Sequence, residues 1–102
     1  MVCGVCEMEI GSVRNKALLA FLETGKSKGL PSNLVERLRR MLVWLDAIDQ
    51  ANDLYVPPNY GAHQLAGDRA GVWSLTVSRN WRMTFRVSES LIIEDLDLED
   101  YH

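Results

Sequence analysis

The chain has little of what usually announces a function. Among its 102 residues are two cysteines, three prolines and two histidines. A structural zinc site needs four ligands, and beside Cys3 and Cys6 the only others of the usual kind are His63 and His102. The Cys3-x-x-Cys6 spacing also lacks the preceding strand of a thioredoxin-type motif. It reads as a pair of reduced thiols, with metal or redox use as the alternative. No apolar run approaches the roughly 18 residues that span a membrane. The opening MVCGVCEMEI has no basic start followed by an apolar run, so a cytoplasmic protein with no membrane partner is expected. There is no Gly-rich phosphate loop, no HExxH and no Gly-x-Ser-x-Gly. Repeats and low-complexity tracts are also missing. The length suits one domain, residues 1–102, in which residues 1–8 form a short N-terminal extension.

Charge is unevenly spread. The formal net charge is −3, yet residues 10–86 hold all 11 Lys and Arg and only six acids, a net of +5. Residues 87–102 hold six acids and no Lys or Arg. A basic body carries an acidic final stretch, so the sum alone misleads about anionic partners. The acidic run Glu94-Asp95-Leu96-Asp97 is expected to lie away from any RNA-facing surface.

The chain is organised around residues 67–86, GDRAGVWSLTVSRNWRMTFR. Trp73, Leu75 and Val77 share one strand face; Trp81, Met83, Phe85 and Val87 share another, with Arg82, Thr84 and Arg86 opposite. The two apolar faces must coincide, which pairs Val77 with Trp81, Leu75 with Met83 and Trp73 with Phe85. That register leaves a three-residue reversal, Ser78-Arg79-Asn80, with Asn80 expected in the left-handed region. The hairpin buries Trp73, Trp81 and Phe85 as core and presents arginines on its other side, a scaffold for an anion.

Upstream, Glu9 to Arg14 starts a strand that Gly11 weakens. Asn15 to Glu23 clusters apolar residues and stops at Thr24-Gly25, a helix C-terminal signal. Asn33 and Glu36 have capping-box spacing, and Leu34, Leu38, Met41, Leu42, Leu45 and Ile48 recur at helical period, so a second helix should end near Gln50-Ala51. Arg37, Arg39 and Arg40 fall off that stripe and read as a solvated face, with RNA contact as the alternative. Pro57-Pro58 and Gly61 mark a loop. His63-Gln64-Leu65 forms a short strand, and Leu91 to Leu98 a last one. This order predicts an α+β domain: two N-terminal helices packed on one face of a mostly antiparallel, roughly five-stranded sheet.

Two histidines, several arginines and a closing Asp100-Tyr101-His102 are the parts that a metal-independent ribonuclease uses. Arginine offers forked donors to phosphate, histidine moves protons near neutral pH, and tyrosine stacks or donates. Such a reaction activates a ribose 2′-hydroxyl, neutralises a pentacoordinate phosphate and protonates the leaving 5′-oxygen. Each residue also has a plain reading: His63 as a satisfied strand-end histidine, Arg82 as a solvated strand residue, Asp68 as turn chemistry, and Tyr101-His102 as a loose tail.

The run His63-Gln64-Leu65-Ala66-Gly67-Asp68-Arg69, then Gly71-Val72-Trp73-Ser74, Asn80-Trp81-Arg82-Met83-Thr84-Phe85 and Glu99-Asp100-Tyr101-His102 resembles the HigB toxins of the RelE/ParE superfamily. The similarity runs from about Ile10 to the last residue. It implies a RelE-like fold and the toxin half of a type II toxin–antitoxin pair: a ribosome-dependent mRNA endonuclease that cleaves in the A site by 2′-hydroxyl attack, with no cofactor. Carried over by position, His63, Arg82, Asp100, Tyr101 and His102 are the catalytic residues. Arg82 is expected on phosphate, Tyr101 on a base or the reacting phosphate, His102 as the proton-transfer group with His63 nearby, and Asp100 as its orienting partner. Arg69, Arg79 and Arg86 are the expected RNA-binding cations. The implied partners are a helix-turn-helix antitoxin, the 70S ribosome and mRNA, with DNA reached only through the antitoxin.

Ala66 departs from the pattern, since many members carry Lys there. Arg69, Arg79 or Arg86 would have to compensate. Two alternatives therefore stand: a gyrase-directed relative without nuclease chemistry, and a catalytically weak module acting through its antitoxin complex. His63 and Tyr101-His102 weigh against the first, and Ala66 favours the second.

Overall fold

The structure, a computed structural model, describes residues 9–48, 54–55 and 60–100. The expectations resting on Cys3, Cys6, the N-terminal extension, Pro57-Pro58, Tyr101 and His102 lie outside the described residues.

Elements follow in the order β1 (Glu9–Ile10), α1 (Lys16–Thr24), α2 (Val35–Ala47), β2 (His63–Gln64), β3 (Trp73–Thr76), β4 (Trp81–Val87) and β5 (Ile92–Asp100). The strands form one sheet, ordered β1-β5-β4-β3-β2. All neighbours are antiparallel except β1 and β5. Leu18, Phe21, Leu38, Met41 and Leu45 from the helices share one core with Leu75, Met83, Phe85, Ile93, Leu96 and Leu98 from the sheet. The helix pair therefore covers one face, as the α+β reading expects.

The hairpin register is the one that matching apolar faces demands: Trp73 opposite Phe85 and Leu75 opposite Met83. Its reversal is built differently. Among the described residues, the non-glycine positions with positive φ are Leu91 and Asp95, so Asn80 is not left-handed. Instead, the Trp81 carbonyl accepts from both Val77 N–H (3.0 Å) and Ser78 N–H (3.2 Å), while Trp81 N–H donates to the Ser78 carbonyl (3.4 Å). Two residues facing one is a bulge, and it absorbs the odd residue that Asn80 was expected to accommodate.

α1 follows the sequence closely. The Asn15 side chain accepts from Leu18 N–H at 2.9 Å, and Gly25, at φ 77, ends the helix by donating to the Phe21 carbonyl. α2 departs at both ends. No Asn33 capping box forms; a 3-10 turn over Ser32–Leu34 leads in, and the boundary residue Leu34 makes no side-chain cap bond. Pro31 fixes the backbone so that Leu34 N–H donates to its carbonyl at 2.9 Å. Glu36 is thereby left to pair with Arg39. At the far end the helix stops at Ala47, short of Gln50, because Ile48 turns extended (ψ 152). Ile48 stays buried in that conformation, so tertiary packing sets the end where periodicity alone would have continued it.

β5 carries a second bulge. Pairing runs Thr84 with Asp97 but Arg86 with Glu94, which places an extra residue opposite Phe85. The cause is legible in the spacing: Ile93, Leu96 and Leu98 are all buried, and three residues from Ile93 to Leu96 can reach one face only if the chain takes an additional step. Asp95 takes it at φ 56, a conformation that Asp tolerates. Ser12 stabilises the step by accepting from Asp95 N–H at 2.8 Å. β1 ends sooner than the Glu9–Arg14 strand expected, but the chain stays beside β5 through Arg14 N–H to the Leu96 carbonyl at 2.7 Å.

Candidate functional site

Strand alternation that sends Leu75, Met83 and Phe85 into the core turns Ser74, Arg82 and Thr84 to the face away from the helices. β2, at the sheet edge, adds His63 opposite Ser74. Together with Arg69 and Glu99 these side chains line a cleft of about 90 Å³.

His63 is exposed, and its Nδ1 lies 3.0 Å from the Gly61 carbonyl. A carbonyl only accepts, so Nδ1 donates this bond and Nε2 stays outside it. Arg82 is half-buried. Its Nη1 donates to the Ser78 carbonyl at 2.8 Å and lies within 3.2 Å and 3.4 Å of those of Trp81 and Arg79. The guanidinium thus fastens the hairpin reversal while lining the cleft.

Arg69 stands on the 3-10 turn Gly67–Arg69, entered by Gly67 at φ 67. Its two terminal nitrogens donate to the two carboxylate oxygens of Glu99, at 2.9 Å and 2.5 Å. The Thr84 hydroxyl donates to Glu99 as well, at 2.5 Å. The Arg69 fork holds the Glu99 carboxyl below its usual range; burial opposes this, and the Thr84 hydroxyl and the charges of Arg69 and Arg14 add to it. Glu99 in turn holds Arg69 more firmly protonated. A carboxylate so engaged is a weak proton acceptor, and the imidazole of His63 lines the same cleft.

A second cavity, about 100 Å³, adjoins the first through their shared residues Arg69 and Thr84, and Arg14, Arg86 and Asp95 line it. The sequence did not single out Arg14; it arrives through the backbone bond to β5 described above. Nor did it single out Glu99, which extending the period-two argument from Leu96 and Leu98 along β5 would have found.

The expected site residues therefore divide. His63, Arg69 and Arg82 share one cleft, with Arg86 in the adjoining cavity. Arg79 is exposed at the reversal and lines neither. Asp100 pairs with Trp81, and alternation puts it on the Leu98 side while Glu99 faces the cleft. The acidic run is not set apart from the basic surface as expected: Asp95 lines the cavity with Arg14 and Arg86, and Asp97 acts on Arg69. The bulge sets Asp95 there, while alternation with the buried Leu96 and Leu98 turns Asp97 to the face of Glu99.

A larger cavity, about 660 Å³, lies elsewhere, between the helices and β1, walled by Phe21, Leu22, Leu42 and Val43, with Arg39 the one cation among its described lining residues. It offers no histidine and little to hold a phosphate. Among the described residues no group of three or more His, Cys, Asp or Glu could hold a metal ion, and no helix is long and apolar enough to cross a membrane.

The family described as "RelE-like toxin of type II toxin-antitoxin system HigB" matches residues 11–102. The Endoribonuclease HigB of Proteus vulgaris is 37% identical over 94 residues, covering 91% of this chain and 99% of the relative. Among solved structures, the YoeB/ParE toxin from Agrobacterium tumefaciens superposes with a TM-score of 0.55 at 17% identity, over 93% of this chain and all of the other (100%). A chain of the Escherichia coli DinJ-YafQ toxin-antitoxin complex gives 0.51 at 17% identity, over 87% and 91%. At such identities the two structures speak for the fold.

Proposed function

The chain belongs to the HigB family of RelE-like toxins of type II toxin–antitoxin systems, and from that membership we propose that it is an endoribonuclease that cuts mRNA in the ribosomal A site. The observation that carries the reading is the convergence of His63, Arg69 and Arg82 in one cleft on the helix-free sheet face. The Proteus vulgaris relative, 37% identical, bears the name endoribonuclease.

The chemistry asks for little beyond these side chains. A base takes the proton from a ribose O2′ as that oxygen bonds to the neighbouring phosphorus. Arginine forks balance the charge that builds on the pentacoordinate phosphorus. The P–O5′ bond then breaks, and an acid protonates O5′, leaving a 2′,3′-cyclic phosphate and a 5′-hydroxyl. Arg82 and Arg69 take the phosphate; His63, through Nε2, and His102 exchange the protons; Tyr101 meets a base or the reacting phosphate; and Asp100, on the Leu98 side of β5 and outside the cleft, acts only by orienting His102. Arg86 and Arg79 contact flanking phosphates, Arg79 from the exposed hairpin tip. Metal and cofactor have no step in this scheme.

The partner that restrains it is a helix-turn-helix antitoxin, through which DNA is reached. A chain of the same fold has been solved within a toxin–antitoxin complex. Purified chain added to an mRNA with and without 70S ribosomes tests the activity: cuts within codons that require ribosomes support it, and an mRNA left intact in both arms refutes it. Ala66 supports a second reading, a catalytically weak toxin. On that reading Ala66→Lys would raise the cutting rate at least tenfold.

A further inference from the structure

Glu99 is a puzzle for an RNA-facing cleft. It puts a carboxylate where a polyanion must dock, and it spends both oxygens on groups that would otherwise meet that polyanion. The paired oxygens accept two parallel N–H bonds from Arg69 at 2.9 Å and 2.5 Å, with a third bond from the Thr84 hydroxyl at 2.5 Å. Two parallel guanidinium bonds plus a hydroxyl donor is also how a phosphate is held. The surroundings suit an anion too. Arg14 and Arg86 line the cavity that continues from Arg69, and the charge of Arg14 reaches Glu99. Arg86 packs close to the backbone at Gly71, where a Cβ would stand 3.4 Å from its Nη1. Three guanidiniums are thus opposed by Glu99, by Asp95 in the same cavity and by Asp97, which acts on Arg69. With Glu99 in place, the three guanidiniums of this subsite are matched by three carboxylates, and the excess cation of the cleft is Arg82.

We propose that Glu99 is the internal occupant of a phosphate subsite built by Arg69, Thr84, Arg14 and Arg86, and that a phosphodiester of single-stranded RNA displaces it. This rests on the proposed RNA-cutting function and adds to it a control on substrate entry. Neither partner is locked away, since the Arg69 side chain is 47% and the Glu99 side chain 28% exposed, so the exchange needs only side-chain rotation. In the free protein Glu99 keeps Arg69 extended and raises the threshold for RNA. A strand held at several points, as on a ribosome, overcomes that threshold where a loose strand does so poorly.

The test uses the full chain as wild type, Glu99→Gln, Arg69→Gln and the double variant. The probe is a fluorescent single-stranded oligodeoxyribonucleotide, which lacks the 2′-hydroxyl and cannot be cut. Anisotropy over a range of salt gives Kd and its salt slope. Glu99→Gln is expected to bind about three- to tenfold tighter, the scale of one partly exposed ion pair. Its slope of log K against log salt should steepen by about 0.7, one further phosphate engaged on a single strand. The gain should vanish when Arg69→Gln is added. Equal or weaker binding by folded Glu99→Gln, or a gain that survives Arg69→Gln, overturns the proposal. If Glu99→Gln does not fold, Glu99→Asp takes its place: a carboxylate drawn back by one methylene cannot hold the fork and Thr84 together, so tighter binding is again expected and unchanged binding overturns. The nuclease reading fails separately, by intact mRNA in the ribosome assay. A chain that cuts nothing yet gains binding with Glu99→Gln keeps the subsite, and a chain that cuts without that gain loses it.

Discussion

Replacing Gly11 by Ala should destabilise the seam that carries Arg14 into the basic cluster. A Cβ at Gly11 would lie 2.3 Å from Ile92 Cγ2 and 3.4 Å from the Ile93 carbonyl oxygen. Non-bonded carbons settle at about 3.5–4.0 Å, so either the chain parts from β5 by about 1 Å or Ile92 moves. Ile92 is β-branched, and leaving its rotamer costs about 0.5–1.5 kcal/mol. Parting stretches the bond from Gly11 N–H to the Ile93 carbonyl, now 2.8 Å, towards its limit. Overpacking of this kind costs about 1–3 kcal/mol. At about 4–8 °C per kcal/mol for a domain of this size, Tm should fall visibly in a circular-dichroism melt. Gly25→Ala is the internal control: at φ 77 with nothing within 4 Å, it costs only left-handed strain, about 1–2 kcal/mol. Both variants should melt earlier, but only Gly11→Ala should also weaken oligonucleotide binding, because Arg14 hangs on the same seam. A Tm unchanged within about 2 °C by Gly11→Ala, at the scale just given, or equal binding losses in the two variants, would refute the reasoning.

Three further outcomes follow from the geometry. Glu99 is held below its usual range chiefly by Arg69, so its contribution to stability is present above the unfolded carboxylate pKa of about 4.3 and fades as pH falls through the lower folded value. Urea midpoints of wild type should therefore exceed those of Glu99→Gln near neutrality and converge with them in acid; a gap that widens in acid contradicts this sign. His63 is exposed, so His63→Ala should leave Tm within the small range of surface changes. Its cutting rate on ribosomes should nonetheless drop about 10²- to 10⁴-fold, and a rate equal to wild type removes His63 from proton transfer. Met83 is fully buried at the centre of the hairpin, so Met83→Ala should cost about 2–5 kcal/mol, measurable as a lower urea midpoint. A loss under about 1 kcal/mol would mean that the core is packed more loosely than such a site implies.

Much of this fold was legible because period two is unforgiving. A one-residue slip in the hairpin would have turned Trp73, Leu75 and Val77 to solvent, so the register could be read from residue types alone. Gly25 and the apolar cluster before it fixed the end of α1 for a similar reason. The two bulges could not be read the same way. At Val77–Ser78 the bulge and the left-handed Asn80 are two solutions to one counting problem, and backbone hydrogen bonding chose between them. At Asp95 the clue was present, two residues between Ile93 and Leu96 where strict alternation allows one or three, but its consequence appears only once β5 is paired. The same pairing brings Glu99 and Arg14 into the site, residues whose roles depend on neighbours 30 or more positions away in sequence, as Arg69 is from Glu99. Family resemblance points to His63 and Arg82, whereas the contacts of Glu99 emerge only when the chain is folded.

The most direct test of the central claim is induction of the chain in cells, wild type against His102→Ala, with mRNA 5′ ends mapped genome-wide. Cuts within codons of translated messages in wild type, absent in His102→Ala, are what a ribosome-dependent nuclease predicts. Growth arrest with intact mRNA, or cuts that persist unchanged in His102→Ala, would contradict it.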